Sequence, residues 1–551
     1  MISRQLRQIL EQAVRTLEDD HVIPRDLDLD IELSRPSRVE HGDFSTNLPL
    51  VAAKFAKMSP RQLAQSLTSR LPGSELILKT DIAGPGFINF YLRPDWLFDV
   101  VKDVASQKDR YGRSTLGEGR RLQVEYGSAN PTGPIHVGNA RNLAYGDVLS
   151  DLLVWAGFDI YRENYLNDAG GQMNKFAVSL EARYQQALGR EVPMPEGGYL
   201  GEYLTEIGTE LAGQEGMGLI GKFDDVKNWG LARMIDEQKK TLERFGVRYD
   251  NWMSEKSLHE SGAVTSAIEK LTASGHTFEL DGALWFRATD FGHSQDRVLV
   301  RSVERGGKPT YFAADVAYLL HKLDRGFEKV LYMWGADHHG YVMTMQAAAR
   351  ALVVDERCEF ILYQFVSFTE GGEPVRMSKR TGDVVTLDEL LDEVGLDAAR
   401  FTFLSRSLDS TIEFDFELVK SESQDNPVYY VQYQHARISS ILRYASEQGS
   451  QIGHIEEVDL TRLIHDSESF LMRKLSEFPE LVERAAIDRA PHRLTTYAQT
   501  LASLFSAFYR DCRVLTEDVE LTRARLLLAE STRQVLANTF ALLGISAPEK
   551  M

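Results

Sequence analysis

The stretch Ala129-Asn-Pro-Thr-Gly-Pro-Ile-His-Val-Gly-Asn139 connects two patterns that predict different secondary structure. The alternating run Leu122–Tyr126 before it predicts a strand, and apolar positions from Gly138 to Gly157 after it predict a helix. The apolar run Phe158–Tyr161 then predicts a second strand. The sequence therefore predicts a strand–helix–strand unit whose glycine- and proline-containing loop lies at the N-terminus of the helix.

A loop in this position suits a phosphate group. The N-terminus of a helix presents unpaired N–H groups and a partial positive charge, and His136 adds a hydrogen-bond donor there. An ordinary strand-to-helix turn would show a similar pattern, so the loop alone leaves both interpretations open.

A second stretch, Val375-Arg-Met-Ser-Lys-Arg-Thr-Gly-Asp383, follows about 240 residues later, since Lys379 lies 243 positions after His136. The two stretches resemble the HIGH and KMSKS motifs of class I aminoacyl-tRNA synthetases. The residues around them resemble arginyl-tRNA synthetases of the bacterial type in particular. A solvated basic turn is the alternative for the second stretch, and the presence of the first motif makes it the weaker one.

The composition sets limits on the class of protein. A chain of 551 residues with 43% hydrophobic and 26% charged residues is typical of a globular protein of two to four domains. No apolar run approaches the length of a membrane span, so we expect no membrane partner. With only Cys358 and Cys512, a disulfide framework is excluded and we expect a cytoplasmic protein. The net charge of −19 argues against non-specific nucleic-acid binding but allows a local basic face.

The order of the patterns predicts three parts. Residues 1–110 form an N-terminal α+β domain. Residues 115–400 form an α/β doubly wound (Rossmann-type) catalytic domain with a helical insertion at about 173–280. Residues 401–551 form an all-α C-terminal helical bundle. From Leu396 onward the pattern predicts helices and no strands. The resemblance implies that the first part contacts the tRNA and that the last binds its anticodon.

The resemblance also implies the reaction. An arginine–tRNA ligase activates L-arginine with ATP and Mg²⁺ to arginyl-adenylate and transfers the arginine to the 3′ end of tRNA(Arg). This chemistry requires positioning and charge stabilisation rather than a protein nucleophile. The family is typically monomeric, which we expect here. Its members need bound tRNA before they activate arginine, which we take as a hypothesis.

Catalytic roles in both motifs follow from the resemblance. His136 and Gly138 are expected to reach the phosphates, and Lys379 to contact the pyrophosphate as a point charge. Asn139 replaces the histidine that closes the family's first motif, and its amide can form hydrogen bonds but cannot carry charge. The predicted ATP-binding residues are Ala129, Pro131, Gly133, His136, Gly138, Asn139, Asp337, His338, Met377, Ser378, Lys379 and Arg380.

Arginine as substrate requires a buried carboxylate that faces the planar guanidinium. By resemblance Asp315 has this role, with Glu125 and Asn130 nearer the amino group of the substrate. The alternative for Asp315 is a helix N-cap. The run Asp337–His339 could suggest a metal site, but it has no third spaced ligand, so we predict none. The predicted arginine-binding residues are Glu125, Ser128, Asn130, Tyr311, Asp315 and His338.

The start of the predicted C-terminal bundle is unusually aromatic. Its tyrosines could stack on RNA bases, as the resemblance implies, or pack in the core at helical spacing. The predicted tRNA-binding residues are Tyr429, Tyr430, Gln432, Tyr433 and Arg437.

Two other functions fit parts of the sequence. A small-molecule nucleotidyltransferase shares the histidine-containing loop, but such enzymes are usually single compact domains. The other alternative is a synthetase-like protein that binds tRNA but has lost its activity. It is suggested by Asn139, which stands in place of the histidine that closes the first motif.

The role of Lys379 can be tested directly. We expect Lys379→Ala to lose aminoacylation while tRNA binding persists, because a point charge on the pyrophosphate acts on the reaction and not on the tRNA. Charging kinetics and a tRNA-binding titration on the same preparation measure the two effects. Full charging activity in this variant would remove the residue from the catalytic set.

Overall fold

The computed structural model describes residues 2–25, 27, 29–36, 38–375 and 385–551. Its contacts divide the chain into two compact units. In the described residues no helix has the length and apolar character needed to cross a membrane. Unit 1 comprises Met1–Tyr111, Ile438–Glu480 and Ser503–Val535, and unit 2 comprises Gly112–Arg437, Leu481–Ala502 and Leu536–Met551.

The N-terminal part of unit 1 is an α+β arrangement, as predicted. Its elements are α1 (Ile2–Asp19), β1 (Leu33–Ser34), β2 (Phe44–Thr46), α2 (Leu48–Ala56), α3 (Pro60–Thr68), β3 (Ile77–Ala83), β4 (Phe87–Leu92) and α4 (Asp95–Gln107). The four strands form an antiparallel sheet in the order β1-β2-β4-β3. The apolar stripe of α1, including Leu6, Leu10 and Leu17, is buried.

Unit 2 contains the large parallel sheet. Its elements up to residue 363 are β5 (Arg121–Glu125), α5 (Ala140–Trp155), β6 (Asp159–Leu166), α6 (Gly171–Ala187), α7 (Glu202–Glu215), α8 (Phe223–Arg244), β7 (Asn251–Ser254), α9 (Glu255–Glu260), α10 (Ala263–Ala273), β8 (Thr277–Leu280), β9 (Ala283–Phe286), β10 (Arg297–Val300), α11 (Tyr311–Asp324), β11 (Lys329–Gly335), α12 (His339–Ala351) and β12 (Cys358–Tyr363). Five parallel strands follow the order β12-β11-β5-β6-β7. The predicted doubly wound α/β fold is therefore confirmed.

The segment between β6 and β8 is less purely helical than the sequence predicted. Helices α6, α7 and α8 do pack around a small apolar core that includes Phe176, Leu204 and Met234. The prediction missed β7, which pairs with β6 at the edge of the sheet. A strand of four residues has too few alternations to be recognised, because its stability comes from the neighbouring strand. Strands β8, β9 and β10 form a separate antiparallel sheet.

Helices dominate the rest of the chain. The elements are β13 (Val366–Glu370), β14 (Glu373–Pro374), α13 (Leu387–Val394), α14 (Leu396–Phe403), β15 (Ile412–Asp415), α15 (Phe416–Lys420), α16 (Pro427–Glu447), α17 (Asp466–Ile487), α18 (His492–Asp511) and α19 (Val519–Leu543). Helices α16–α19 confirm the predicted all-α C-terminal region. The expectation of helix alone after Leu396 is wrong at β15, because this strand pairs in parallel with β13, which lies about 45 residues earlier.

One buried arginine connects the helices of unit 2. The Arg400 guanidinium on α14 donates to the carbonyls of Leu543 at 2.9 Å and Phe245 at 3.0 Å, and to the Asp147 carboxylate at 2.7 Å. Arg400 has no exposed surface. Asp147 lies on α5, the helix that follows the predicted phosphate loop, so this ion pair helps to hold that helix in place.

This ion pair should contribute strongly to stability. We expect Arg400→Met to lower the free energy of unfolding by about 3–5 kcal/mol, because Asp147 would remain buried without a compensating charge. Urea unfolding monitored by circular dichroism measures the loss, and the double variant Arg400→Met/Asp147→Asn should recover part of it. The control is Lys240→Met, which removes an exposed ion pair with Asp236 and should leave the midpoint unchanged. Equal shifts in both single variants would contradict the account.

Candidate active site at the carboxyl ends of the parallel strands

The predicted phosphate loop joins β5 to α5 through a short 3-10 helix, Val137–Asn139. The His136 Nδ1 atom accepts a hydrogen bond from the Gly138 N–H at 2.7 Å. In the neutral imidazole the proton therefore lies on Nε2, which remains a donor. Desolvation by the surrounding loop lowers the pKa of His136, although the residue keeps solvent access, so the neutral form is favoured at neutral pH.

The backbone of this loop differs from the prediction in one respect. Unpaired N–H groups were expected to face phosphate, but those of Val137, Gly138 and Asn139 all have partners within the protein. Phosphate recognition would then depend on the His136 and Asn139 side chains together with the helix dipole. Gly138 is required for this arrangement, since an added Cβ would lie 2.7 Å from His136 Nδ1.

The second motif falls outside the described residues, and so do the predicted Met377, Ser378, Lys379 and Arg380. The chain that follows is described and pairs with the first motif. The Val137 N–H donates to the Val385 carbonyl at 3.1 Å, and the Leu387 N–H donates to the Ile135 carbonyl at 2.8 Å. This pairing joins the phosphate loop to the segment that immediately follows the second motif.

A cavity of about 380 Å³ opens beside the loop. It lies where β5, β6 and β11 end, which is the edge at which open parallel sheets usually bind ligands. The residues around it are Glu125, Gly127, Ser128, Asn130, Asn139, Asn142, Tyr165, Asn167, Asp315, Tyr318, Tyr332, Met333, Trp334, Gly335, His338, Tyr341, Met345 and Tyr363.

Asp315 presents a carboxyl group to this cavity. Helix α11 begins at Tyr311 and its N-cap residue is Thr310, so the alternative that Asp315 is an N-cap is wrong. The Tyr341 hydroxyl donates to the Asp315 carboxylate. Burial raises the pKa of Asp315 to about 7, with the nearby Glu125 adding to the effect and the Tyr341 hydrogen bond opposing it.

Glu125 has a partner that the sequence analysis missed. Its carboxylate forms an ion pair with the Lys322 ammonium, which has no exposed surface. Lys322 Nζ also lies 3.8 Å from the ring centroids of both Tyr318 and Tyr332. The signal in the sequence was a lysine seven residues after Asp315, next to the apolar residues Leu319, Leu320 and Leu323 of the same helix.

Glu163 lies on β6 and accepts a hydrogen bond from Tyr318, which lines the cavity. Strand β6 continues beyond this residue to Leu166. Burial alone would raise the pKa of Glu163. Hydrogen bonds from Arg325, Tyr318 and Asn251, with the charge of Lys322, instead lower this pKa to about 2. The carboxylate is thus permanently ionised and fully paired.

Comparison with known proteins matches each part of the chain. Residues 100–415 match the family model described as tRNA synthetases class I (R), catalytic domain. Residues 2–92 match the arginyl tRNA synthetase N-terminal domain, and residues 431–551 match the DALR anticodon binding domain. The chain belongs to the arginyl-tRNA synthetase family.

Full-length members of the arginyl-tRNA synthetase family are similar throughout. An arginine–tRNA ligase of Heliobacterium modesticaldum is 49% identical over 94% of this chain and 93% of its own. That of Moorella thermoacetica is 47% identical over 100% of this chain and 99% of its own. The solved arginyl-tRNA synthetase of Thermus thermophilus shares the fold with a TM-score of 0.78, at 24% identity and with 100% of both chains covered.

The cavity contains most of the residues predicted for the family's arginine pocket. Glu125, Ser128, Asn130, Asp315 and His338 line it. Tyr311 does not, since its side chain is exposed and lies beside Gly170. Of the predicted ATP-binding residues only Asn139 and His338 line the cavity, while the others that are described, Ala129, Pro131, Gly133, His136, Gly138 and Asp337, lie along the phosphate loop or at the end of β11.

The predicted tRNA-binding residues lie on α16. Tyr429 and Tyr433 have nearly parallel rings with centroids 6.3 Å apart, and the Arg437 guanidinium lies 4.7 Å from the Tyr433 centroid. Tyr430 is half-buried. Gln432 is buried and donates to the Asp397 carboxylate at 2.8 Å, so its amide already has a structural partner. The tRNA contacts stay a prediction.

The state of Asp315 predicts a pH dependence of arginine binding. The guanidinium stays charged over this range, so its partner must be ionised, and the ionised fraction rises with pH through about 7. We expect the KM for arginine to fall about tenfold between pH 6 and pH 8. Steady-state kinetics at saturating ATP and tRNA measure it. In Asp315→Asn the KM should be higher and independent of pH, whereas a flat profile in the wild type would contradict the assignment.

Proposed function

We propose that this protein is an arginine–tRNA ligase that uses Asp315 to select arginine. The observation that carries the proposal is the Asp315 carboxyl, held by Tyr341 in a cavity that also contains Asn139 of the first motif. A carboxyl group suited to a guanidinium beside a loop suited to phosphate supports the joining of arginine to ATP. Membership of the arginyl-tRNA synthetase family supports the same reaction.

Selection of arginine follows from the geometry of its side chain. The planar guanidinium can donate two parallel hydrogen bonds to one carboxylate, whereas the lysine ammonium cannot. Glu125 is already paired with Lys322, so Asp315 is the carboxylate of the two that remains available to the substrate. Asn130 and Ser128 also line the cavity, and we assign them to the amino and carboxyl groups of arginine.

Activation then proceeds by attack of the arginine carboxylate on the α-phosphate of ATP, with release of pyrophosphate. His136 would donate from Nε2 to a phosphate oxygen, and the neutral Asn139 amide would donate to another. Lys379 would neutralise the departing pyrophosphate. The residues of the protein hold and stabilise the reacting groups and form no covalent bond with them.

Mg²⁺ would be held chiefly by the phosphates of ATP. This ion prefers oxygen ligands and usually takes one or two carboxylates in addition to substrate phosphates. Within the described ranges, no group of three His, Cys, Asp or Glu side chains could bind a metal by itself.

Transfer of arginine to the 3′-terminal ribose of tRNA(Arg) completes the reaction. We assign residues 1–110 to tRNA contact, 115–400 with its insertion to catalysis, and 401–551 to anticodon binding, where Tyr429, Tyr430, Tyr433 and Arg437 would meet bases. Bound tRNA would be required for arginine activation. We propose a cytoplasmic monomer, and the two thiols without a disulfide are consistent with a reducing compartment.

A charging assay across the standard amino acids tests the proposal. We expect arginine alone to be attached to bulk tRNA, and Asp315→Asn to lower kcat/KM for arginine by about 10²-fold, the order expected for loss of a charged hydrogen bond that selects the substrate. The control is Asp324→Asn, an exposed residue at the end of the same helix, which should behave as the wild type. Nucleotide transfer to a small molecule without charging, or tRNA binding without charging, would instead support one of the alternatives.

A further inference from the structure

Helix α8 of the insertion carries an unexpected pair of buried polar residues. Its buried side begins with Val226 and Met234 in the apolar core of the insertion. The same side continues with Gln238 and Thr241, which are 2% and 4% exposed. Buried amide and hydroxyl groups are costly unless they have partners, so their contacts reveal what this part of the helix does.

Gln238 binds the backbone of the phosphate loop. Its side-chain amide nitrogen donates to the Asn130 carbonyl at 3.0 Å and to the Gly133 carbonyl at 2.8 Å. The Tyr203 hydroxyl on α7 donates to the intervening Thr132 carbonyl at 2.7 Å. Three carbonyls of the first motif are therefore held by side chains of the insertion.

The next turns of α8 bind α13, the helix that follows the second motif in the chain. The Thr241 hydroxyl donates to the Asp388 carboxylate. Arg244 forms ion pairs with Asp388 at 3.1 Å and with Asp392 at 2.5 Å. Both aspartates lie on α13, which begins directly after the second motif and next to the residues that pair with Ile135 and Val137.

We propose that Gln238 is a positioning residue for adenylate formation and that α8 fixes the distance between the phosphate loop and α13. Gln238, Thr241 and Arg244 recur every three residues and so lie along one side of the helix. One end of this side holds the loop Asn130–Gly133 and the other holds α13. This inference rests on the proposed function, because it gives the insertion a role in that same reaction.

The arrangement predicts a larger effect on the rate of activation than on arginine binding. The Gln238 amide holds the Asn130 and Gly133 carbonyls of the phosphate loop, whereas Asp315 and its donor Tyr341 lie on α11 and α12. A loop that loses two hydrogen bonds would still bind ATP but would hold the phosphates in a poorer geometry. Displacements of about 1 Å at a reacting centre cost on the order of 10²-fold in rate.

The test compares two glutamine-to-methionine substitutions in the same insertion. Gln238→Met keeps the length of the side chain and removes both donors to the loop. Gln186→Met removes a comparable bond, from Gln186 to the Val192 carbonyl at 2.7 Å, that does not involve the loop. Arginine-dependent ATP–pyrophosphate exchange with tRNA(Arg) present gives kcat and KM, and thermal unfolding gives the melting temperature of each variant.

We expect Gln238→Met to lower kcat by about 10–100-fold and to change the KM for arginine by a smaller factor, because Asp315 keeps its position while the loop that contains Asn130 loses two hydrogen bonds. Gln186→Met should melt at a similar temperature and retain the wild-type kcat. An equal loss of kcat in both variants, or a raised KM for arginine with an unchanged kcat in Gln238→Met, would overturn the proposal.

A second variant keeps the test decisive if Gln238→Met does not fold. Thr241→Val removes the hydroxyl that binds Asp388 at the other end of the same side and preserves the shape of the side chain. It should lower kcat in the same direction, and a wild-type kcat would overturn the proposal. If the wild-type protein supports exchange with another amino acid and not with arginine, the proposed function fails, and the two glutamine variants can still be compared with that amino acid.

Discussion

The parallel direction of the five strands β12-β11-β5-β6-β7 is the constraint on which the site depends. Because all five run the same way, their carboxyl ends meet at one edge, and the loops that follow them converge there. Glu125 comes from one strand end, Asn167 from the next and His338 from a third. Helix α11 adds Asp315 from above the sheet. Residues that are about 200 positions apart in the chain (315 − 125 = 190) therefore line one cavity.

Electrostatics decides which of the buried carboxylates is available for a ligand. Glu125 is paired with Lys322, and Glu163 is paired with Arg325 and held by further donors. Within the described residues, Asp315 has a tyrosine hydroxyl as its partner and no cation within ion-pair distance. Burial and the neighbouring carboxylates make its ionisation costly, so a guanidinium that enters the cavity compensates a charge that the protein leaves unmatched.

The local features of the fold could be predicted from the sequence, and the long-range ones could not. The strand–loop–helix–strand unit around Ala129–Asn139 was found nearly in register, because amphipathic periodicity depends on neighbouring residues. Strands β7 and β15 were missed because a partner elsewhere in the chain stabilises them. Asp315, which the resemblance predicts for the arginine pocket, lines the cavity. Lys322, Tyr341 and Gln238 were not considered, since only tertiary packing shows that these polar groups lie at buried positions against the site.

The structure of the protein with a non-hydrolysable arginyl-adenylate analogue would test the central claim most directly. We expect two guanidinium nitrogens of the arginyl group within about 3 Å of the Asp315 carboxylate. We also expect a phosphate oxygen within hydrogen-bond distance of His136 Nε2. The assignment would be contradicted if the guanidinium bound away from Asp315 and the Tyr341 hydroxyl remained the main polar contact of the Asp315 carboxylate.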